Sequence, residues 1–201
     1  MSKISDAKER VLLVASDLFM EFGFKAVSMR QIAQQLGVKP SAIYYHFPDG
    51  KDALFHAVID YNMSHQSDSL REVIANTSDD IAEQLMAVAS WFVNQHSVDM
   101  MRMLRMDVKQ VSDDYEDQLV EKVMDSLMQP LVNIFETAIN NQQIRRIDPL
   151  VLAGTFIAAM NWATFVVTAE RMNKTKSELI DETVSIFLNG ILNTADKPPL
   201  T

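Results

Sequence analysis

Apolar positions recur every three to four residues along most of the chain, and no alternating run bounded by turn residues interrupts them. The pattern predicts an all-α protein. An opening helix over 6–22 carries Val11, Val14, Ala15, Leu18, Phe19 and Phe22 as its stripe. A long helix follows over 52–75, with Leu54, Phe55, Val58 and Ile59 in its first half. Further helical patterns run over 79–95, 98–110, 114–143, 149–172 and 176–193. Several starts are marked by caps. Thr77 and Asp80 form one candidate capping box, and Thr175 with Glu178 another. Asp148-Pro149 reads as an N-cap followed by proline at the first helical position. Pro130 should kink or divide the segment around it, because it lacks an amide proton and its ring crowds the preceding turn. The end of the chain, 196–201 with Pro198-Pro199, reads as loose.

Residues 28–47 hold the most information. They read as two short helices joined by a tight turn, the outline of a helix-turn-helix whose second helix enters the major groove of DNA. Ser28 with Gln31 forms a capping box. Ile32, Ala33 and Leu36 bury one face. Gly37 stands where a left-handed residue ends the first helix, and Val38 is expected to plug the corner. Pro40 suits the first turn of the second helix. Ile43 and Phe47, four apart, face inward and leave Ser41, Ala42, Tyr44, Tyr45 and His46 over the remaining surface. Phe47-Pro48-Asp49-Gly50 turns the chain. An ordinary helical corner would share this outline. However, an exposed Tyr-Tyr-His on a short helix has a solubility cost unless it touches something.

Charge bears on the choice. Residues 1–51 carry seven lysines and arginines against five carboxylates, a net of +2, so a chain of net charge −9 places −11 on the remainder. Phosphate repels an acidic body, which favours docking through the head. The chain has no cysteine, which removes disulfide and thiolate chemistry. Its first ten residues are polar and charged, unlike a secretory leader. Both features point to a cytoplasmic protein.

The same stretch resembles the TetR/AcrR family of bacterial transcriptional repressors. The matching residues are Phe22-Gly23-Phe24, Val27-Ser28-Met29-Arg30, Ile32-Ala33, Gly37-Val38, Ile43-Tyr44-Tyr45-His46-Phe47, and Lys51 leading into Ala53-Leu54-Phe55. They cover about the first quarter of the chain; beyond it the likeness is one of length and helical character. Two departures stand out. Lys39 occupies a position where relatives often carry serine, exchanging a capping hydroxyl for a cation expected to meet a phosphate. The 48–50 loop is one residue longer than the common pattern, which should shift Lys51 against the phosphate that its family counterpart grips.

The resemblance implies a three-helix head, a long connecting helix, and a helical body that dimerises and binds a ligand. The division falls at 1–51 for DNA binding and 52–201 for ligand binding and dimerisation. Arg30, Lys39, Pro40, Ser41, Ala42, Tyr44, Tyr45, His46 and Lys51 are the expected DNA contacts. Two heads about 34–36 Å apart would read a palindromic double-stranded operator.

The body has its own signals. The stretch 150–169 carries no charge and is long enough to span a bilayer, but Gly154, Thr155, Asn161, Thr164 and Thr168 interrupt it. A helix apolar all round is buried all round, here between its own core and a second subunit. Gly154, Ala158, Ala159 and Ala163 allow close helix approach. Ile180, Val184, Phe187, Leu188, Ile191 and Leu192 offer the next helix's share of a homodimer interface, and no membrane is called for. The chain has 13 methionines. Methionine is flexible and polarisable and suits an adaptable apolar pocket. Met86, Trp91, Met100, Met103, Met124, Met128, Phe135, Met160, Asn161, Trp162 and Phe165 are the candidate lining for a small-molecule effector, with Met101, Met106, Phe92 and Phe156 nearby. Packing in an ordinary core would use the same residue types.

Catalytic patterns are missing. No nucleophile elbow or phosphate-binding glycine loop occurs. His56 with Asp60, and His96 with Asp99, share helix faces without a third ligand, so no metal or other cofactor is expected. The reading is a DNA-binding regulator, a repressor released by a small apolar or amphipathic ligand, and not an enzyme. The competing reading is a helical carrier or enzyme whose N-terminal helices are only scaffold.

Overall fold

The computed structural model describes residues 6–94, 118, 121–168 and 173–191. The chain forms two compact units. The described part of the first unit comprises residues 6–66, 118, 121 and 122, and holds α1 (Asp6–Phe22), α2 (Met29–Leu36), α3 (Pro40–His46) and residues 51–66 of α4 (Lys51–Ala75). The second holds the rest of α4, α5 (Ile81–Asn94), a π-helical turn (Met124–Met128), α6 (Gln129–Asn140), α7 (Pro149–Thr168) and α8 (Lys176–Ile191). The predicted helix at 98–110 lies outside the described residues, as does most of 114–120.

The first unit extends past residue 51 because Leu54, Phe55, Val58, Ile59 and Met63 of α4 are buried. Val11, Leu12, Ala15 and Phe19 of α1, with Ile32 and Ile43, are buried as well. Phe19, Phe24 and Phe55 join α1, the following loop and α4, with ring centroids 4.7–5.9 Å apart. Polar ties fix the same helices. Asn62 Nδ2 donates to the buried Ser16 Oγ at 2.8 Å, and Tyr61 Oη donates to Glu9 at 2.8 Å. The α1 stripe is rotated from its sequence expectation. Leu12 and Ser16 are buried, Val14 and Leu18 are half-buried, and Phe22 is exposed. Gly23, at φ +81°, ends the helix there, and Phe24 takes the core position instead.

In the second unit α8 packs on α5 and α7, and α6 on α7. Phe135, Phe156 and Phe187 meet at centroid separations of 5.3–6.5 Å. Helix starts follow the cap chemistry. Asp148 Oδ1 accepts from the Leu150 and Val151 amides. The Thr175 box forms reciprocally, its amide donating to Glu178 and the Glu178 amide to Thr175 Oγ1. The Thr77 box does not form: Thr77 Oγ1 donates back to Val73 O, and Asp80 alone accepts the Ala82 and Glu83 amides. Asp80 lies beside the amides it caps, whereas Thr77, just past the end of α4, is hydrogen-bonded back to that helix. Pro130 acts through the turn before it. Residues 124–128 widen into a π-turn, with the Gln129 amide reaching Met124 O, which relieves the clash and the missing bond that proline imposes on an α-helix.

Candidate nucleic-acid interface

The geometry of α2 and α3 follows from local chemistry. Ser28 accepts the Gln31 amide while Gln31 Oε1 accepts the Ser28 amide at 2.8 Å, so the box closes in both directions. Gly37, at φ +70°, ends α2; its amide reaches Gln34 O, and the Val38 amide reaches Ala33 O at 3.0 Å. A side chain at Gly37 would meet open space, so the constraint is backbone conformation and not crowding. Lys39 precedes α3 and makes no side-chain cap; Pro40 occupies the first turn.

Ile43 and Phe47 are buried and fix the rotation of α3. As a result Tyr45 is 83% and Tyr44 46% exposed. Ser41, Ala42, Pro40, Lys39 and Arg30 are exposed as well. His46 is only half-buried and lies edge-on to Tyr45, with ring centroids 5.1 Å apart. It lines a shallow hollow of about 100 Å³ with Arg10, Leu36, Val38 and Ala42. Val38 therefore does not plug the corner: it is 43% exposed at the rim of this hollow. Arg10 brings a cation of α1 beside α3, and nothing in its own helical spacing marks it.

Lys51 differs most from its expectation. Its ammonium donates to Phe24 O and Val27 O, both at 3.0 Å, and stands 4.2 Å from the Phe24 ring centroid. A cation in the first turn of a helix is disfavoured by roughly 0.3–1 kcal/mol. Two charge-assisted bonds, each contributing about 1.5–3 kcal/mol, outweigh that, and the aromatic face adds to them.

The candidate pocket residues divide. Trp91, Phe135 and Met160 are buried in the core; Met86, Met128 and Asn161 are half-buried; Met124, Trp162 and Phe165 are exposed. Met100 and Met103 lie outside the described residues, as do Met101, Met106, His96 and Asp99. Thr164 Oγ1 donates to Met160 O of its own helix. Trp162 and Phe165 belong instead to an outward strip of α7 with Val151, Thr155 and Ala158, spaced three and four apart. Ile186 of α8 is likewise outward, at 76% exposed. Ile180, Val184 and Ile191, expected at an interface, are core, and Phe187 and Leu188 are half-buried. The period of α8 permits either rotation; packing on α5 chose one. Asp60 pairs with Lys122, and among the described residues no three potential metal ligands cluster.

Residues 11–58 match the family model of bacterial regulatory proteins of the tetR family. The similarity to this family is carried by the head of the chain. Among curated relatives, it is 30% identical over 101 residues to the uncharacterized HTH-type transcriptional regulator YxaF of Bacillus subtilis, a match covering 49% of this chain. The chain spans about half of that relative's length, 53%. Among solved structures, a transcriptional regulator from Saccharomonospora viridis in complex with choline shares the fold, with a TM-score of 0.80 at 17% identity over 95% of this chain and 100% of that one. AibR, in complex with isovaleryl coenzyme A and operator DNA, has a TM-score of 0.72 at 18% identity over 90% and 97%. The tetR-family match thus contains the whole of α2 and α3 and stops inside α4.

Proposed function

We propose that the protein is a homodimeric transcriptional repressor whose head binds a palindromic operator and whose body takes a small apolar or amphipathic effector. The observation that carries the reading is the outward aromatic surface of α3 within a tetR-family head. Tyr45 has almost its whole side chain in solvent although Ile43 and Phe47 of the same short helix are buried. Such a surface suits stacking and hydrogen bonding in a groove, with Arg30, Lys39 and Arg10 around it for phosphates.

The dimer is supported by the uncovered apolar strip of α7. Of its window Pro149–Val166, long and apolar enough to cross a membrane, 39% is buried. Core residues alternate with the outward Val151, Trp162 and Phe165 at helical spacing. One side is already packed on protein, so a second copy of the same strip is the cover this reading assigns, and the outward Ile186 of α8 is a further apolar position for it. Regulators of this fold complexed with choline, or with isovaleryl coenzyme A and operator DNA, support effector control. Release would follow from the effector's unequal affinity for two states of the protein. The chain of α4 runs from the first unit into the second and offers a covalent route for the coupling.

Selection of bound duplexes from a random pool by the purified protein tests this. The expected result is a two-fold symmetric consensus with half-sites one helical turn, or multiples of it, apart. Saturable metabolite binding or turnover with no duplex enriched would favour the scaffold alternative.

A further inference from the structure

The position of Lys51 is at odds with a simple phosphate-gripping role. Two of its three ammonium protons are engaged by Phe24 O and Val27 O, and Phe24 covers it from one side. Both carbonyls belong to the loop between α1 and α2. Val27 is buried and immediately precedes Ser28, the cap that sets the first turn of α2. At the other end, Lys51 is the first residue of α4, entered through Gly50 at φ +87° with the Gly50 amide on Phe47 O. One side chain therefore ties the entry to α2 to the first turn of α4, which the backbone turn at Gly50 joins to α3.

We propose that Lys51 is a positioning residue. Its ammonium clasps the 24–27 loop to α4 and so holds α2 and α3 in reading register, in place of neutralising a DNA phosphate. Any displacement of the first turn of α4 then reaches the cap of α2 through this clasp. The DNA consequence rests on the operator-binding reading above, but the clasp itself does not.

The test uses the full chain and the duplex selected from the random pool. In the free wild-type protein, the Lys51 ammonium protons should exchange slowly with water by 15N NMR, and their resonance should stay put when duplex is added. Lys51→Met should speed amide exchange across residues 24–32. It should also weaken duplex binding about tenfold while leaving the slope of log K against log salt unchanged. Lys39→Met is the control for a phosphate contact, expected to flatten that slope by about 0.9 with amide exchange unaltered. Fast-exchanging Lys51 protons in the free protein, or a Lys51→Met slope flattened by about 0.9 with loop exchange unaltered, would overturn the proposal. If wild type binds no duplex, the operator reading fails, and the exchange measurements still judge the clasp. If Lys51→Met does not fold, the wild-type ammonium measurement decides alone.

Discussion

The head and the body divide the same side-chain types between core and surface by different routes. In the head, aromatic residues divide by position over a few residues: Phe24, Phe47 and Phe55 are buried, while Tyr44 and Tyr45 face solvent. The body makes a similar division, with Phe135 and Phe156 inside and Trp162 and Phe165 outside. Yet the head's division follows from caps, a left-handed glycine and a proline at fixed spacings, each acting within a few residues. The body's division depends on how α7 and α8 rotate against distant helices. Local chemistry specifies the first surface, and packing selects the second.

That contrast can be broken experimentally. The largest effect is expected from charging the outward body strip. Phe165→Glu with Ile186→Glu should convert a dimer to a monomer by sedimentation and lower operator affinity more than tenfold while helix content is kept. A dimer unaffected by both charges would remove the strip from the interface. Next in size is the reading face. Tyr45→Ala should cost about 1–3 kcal/mol of operator binding, on the scale of a lost specific contact, with the urea midpoint unchanged because the ring is solvated. A smaller effect compares the caps. Ser28→Ala should destabilise the head by about 1 kcal/mol and also weaken operator binding, whereas Thr175→Ala should alter only the body's stability in denaturant titrations.

The smallest effect is a pH response confined to the head. Burial lowers the pKa of His56 below its ordinary 6.5, against opposing pulls from Asp60 and Asp52, and Lys122 lowers it further. The unfolded chain then takes up the proton first. Stability is complete above 6.5 and declines as pH falls through that value toward the folded one. His56→Gln should blunt this decline in urea midpoints measured between pH 7.5 and 5.5, while substitutions in the α8 cap should not.

Much of the head was legible beforehand. The Ser28–Gln31 box, Gly37 as terminator, Pro40 as the start of α3 and the inward Ile43 and Phe47 all stand where their spacing put them. The two carbonyl partners of Lys51 were not legible because a lysine's partner is invisible in sequence: they lie 24 and 27 residues away. Phe22 was misread because helical period alone does not say that Gly23 hands its core place to Phe24. In the body, Pro130 announced a disturbance, but its form as a π-turn from Met124 to Met128 needed coordinates.

By itself, the sequence determined where the helices of the head begin and end and which face of the short α3 turns outward. Those outcomes depend on hydrogen bonds and dihedral preferences spanning three or four residues. Tertiary structure decided which apolar residues of α7 and α8 are core, where the Lys51 ammonium goes, and how far the first unit runs along α4. Each of these compares alternative burials of similar apolar area, or chooses among distant acceptors, and only the packed chain makes that comparison.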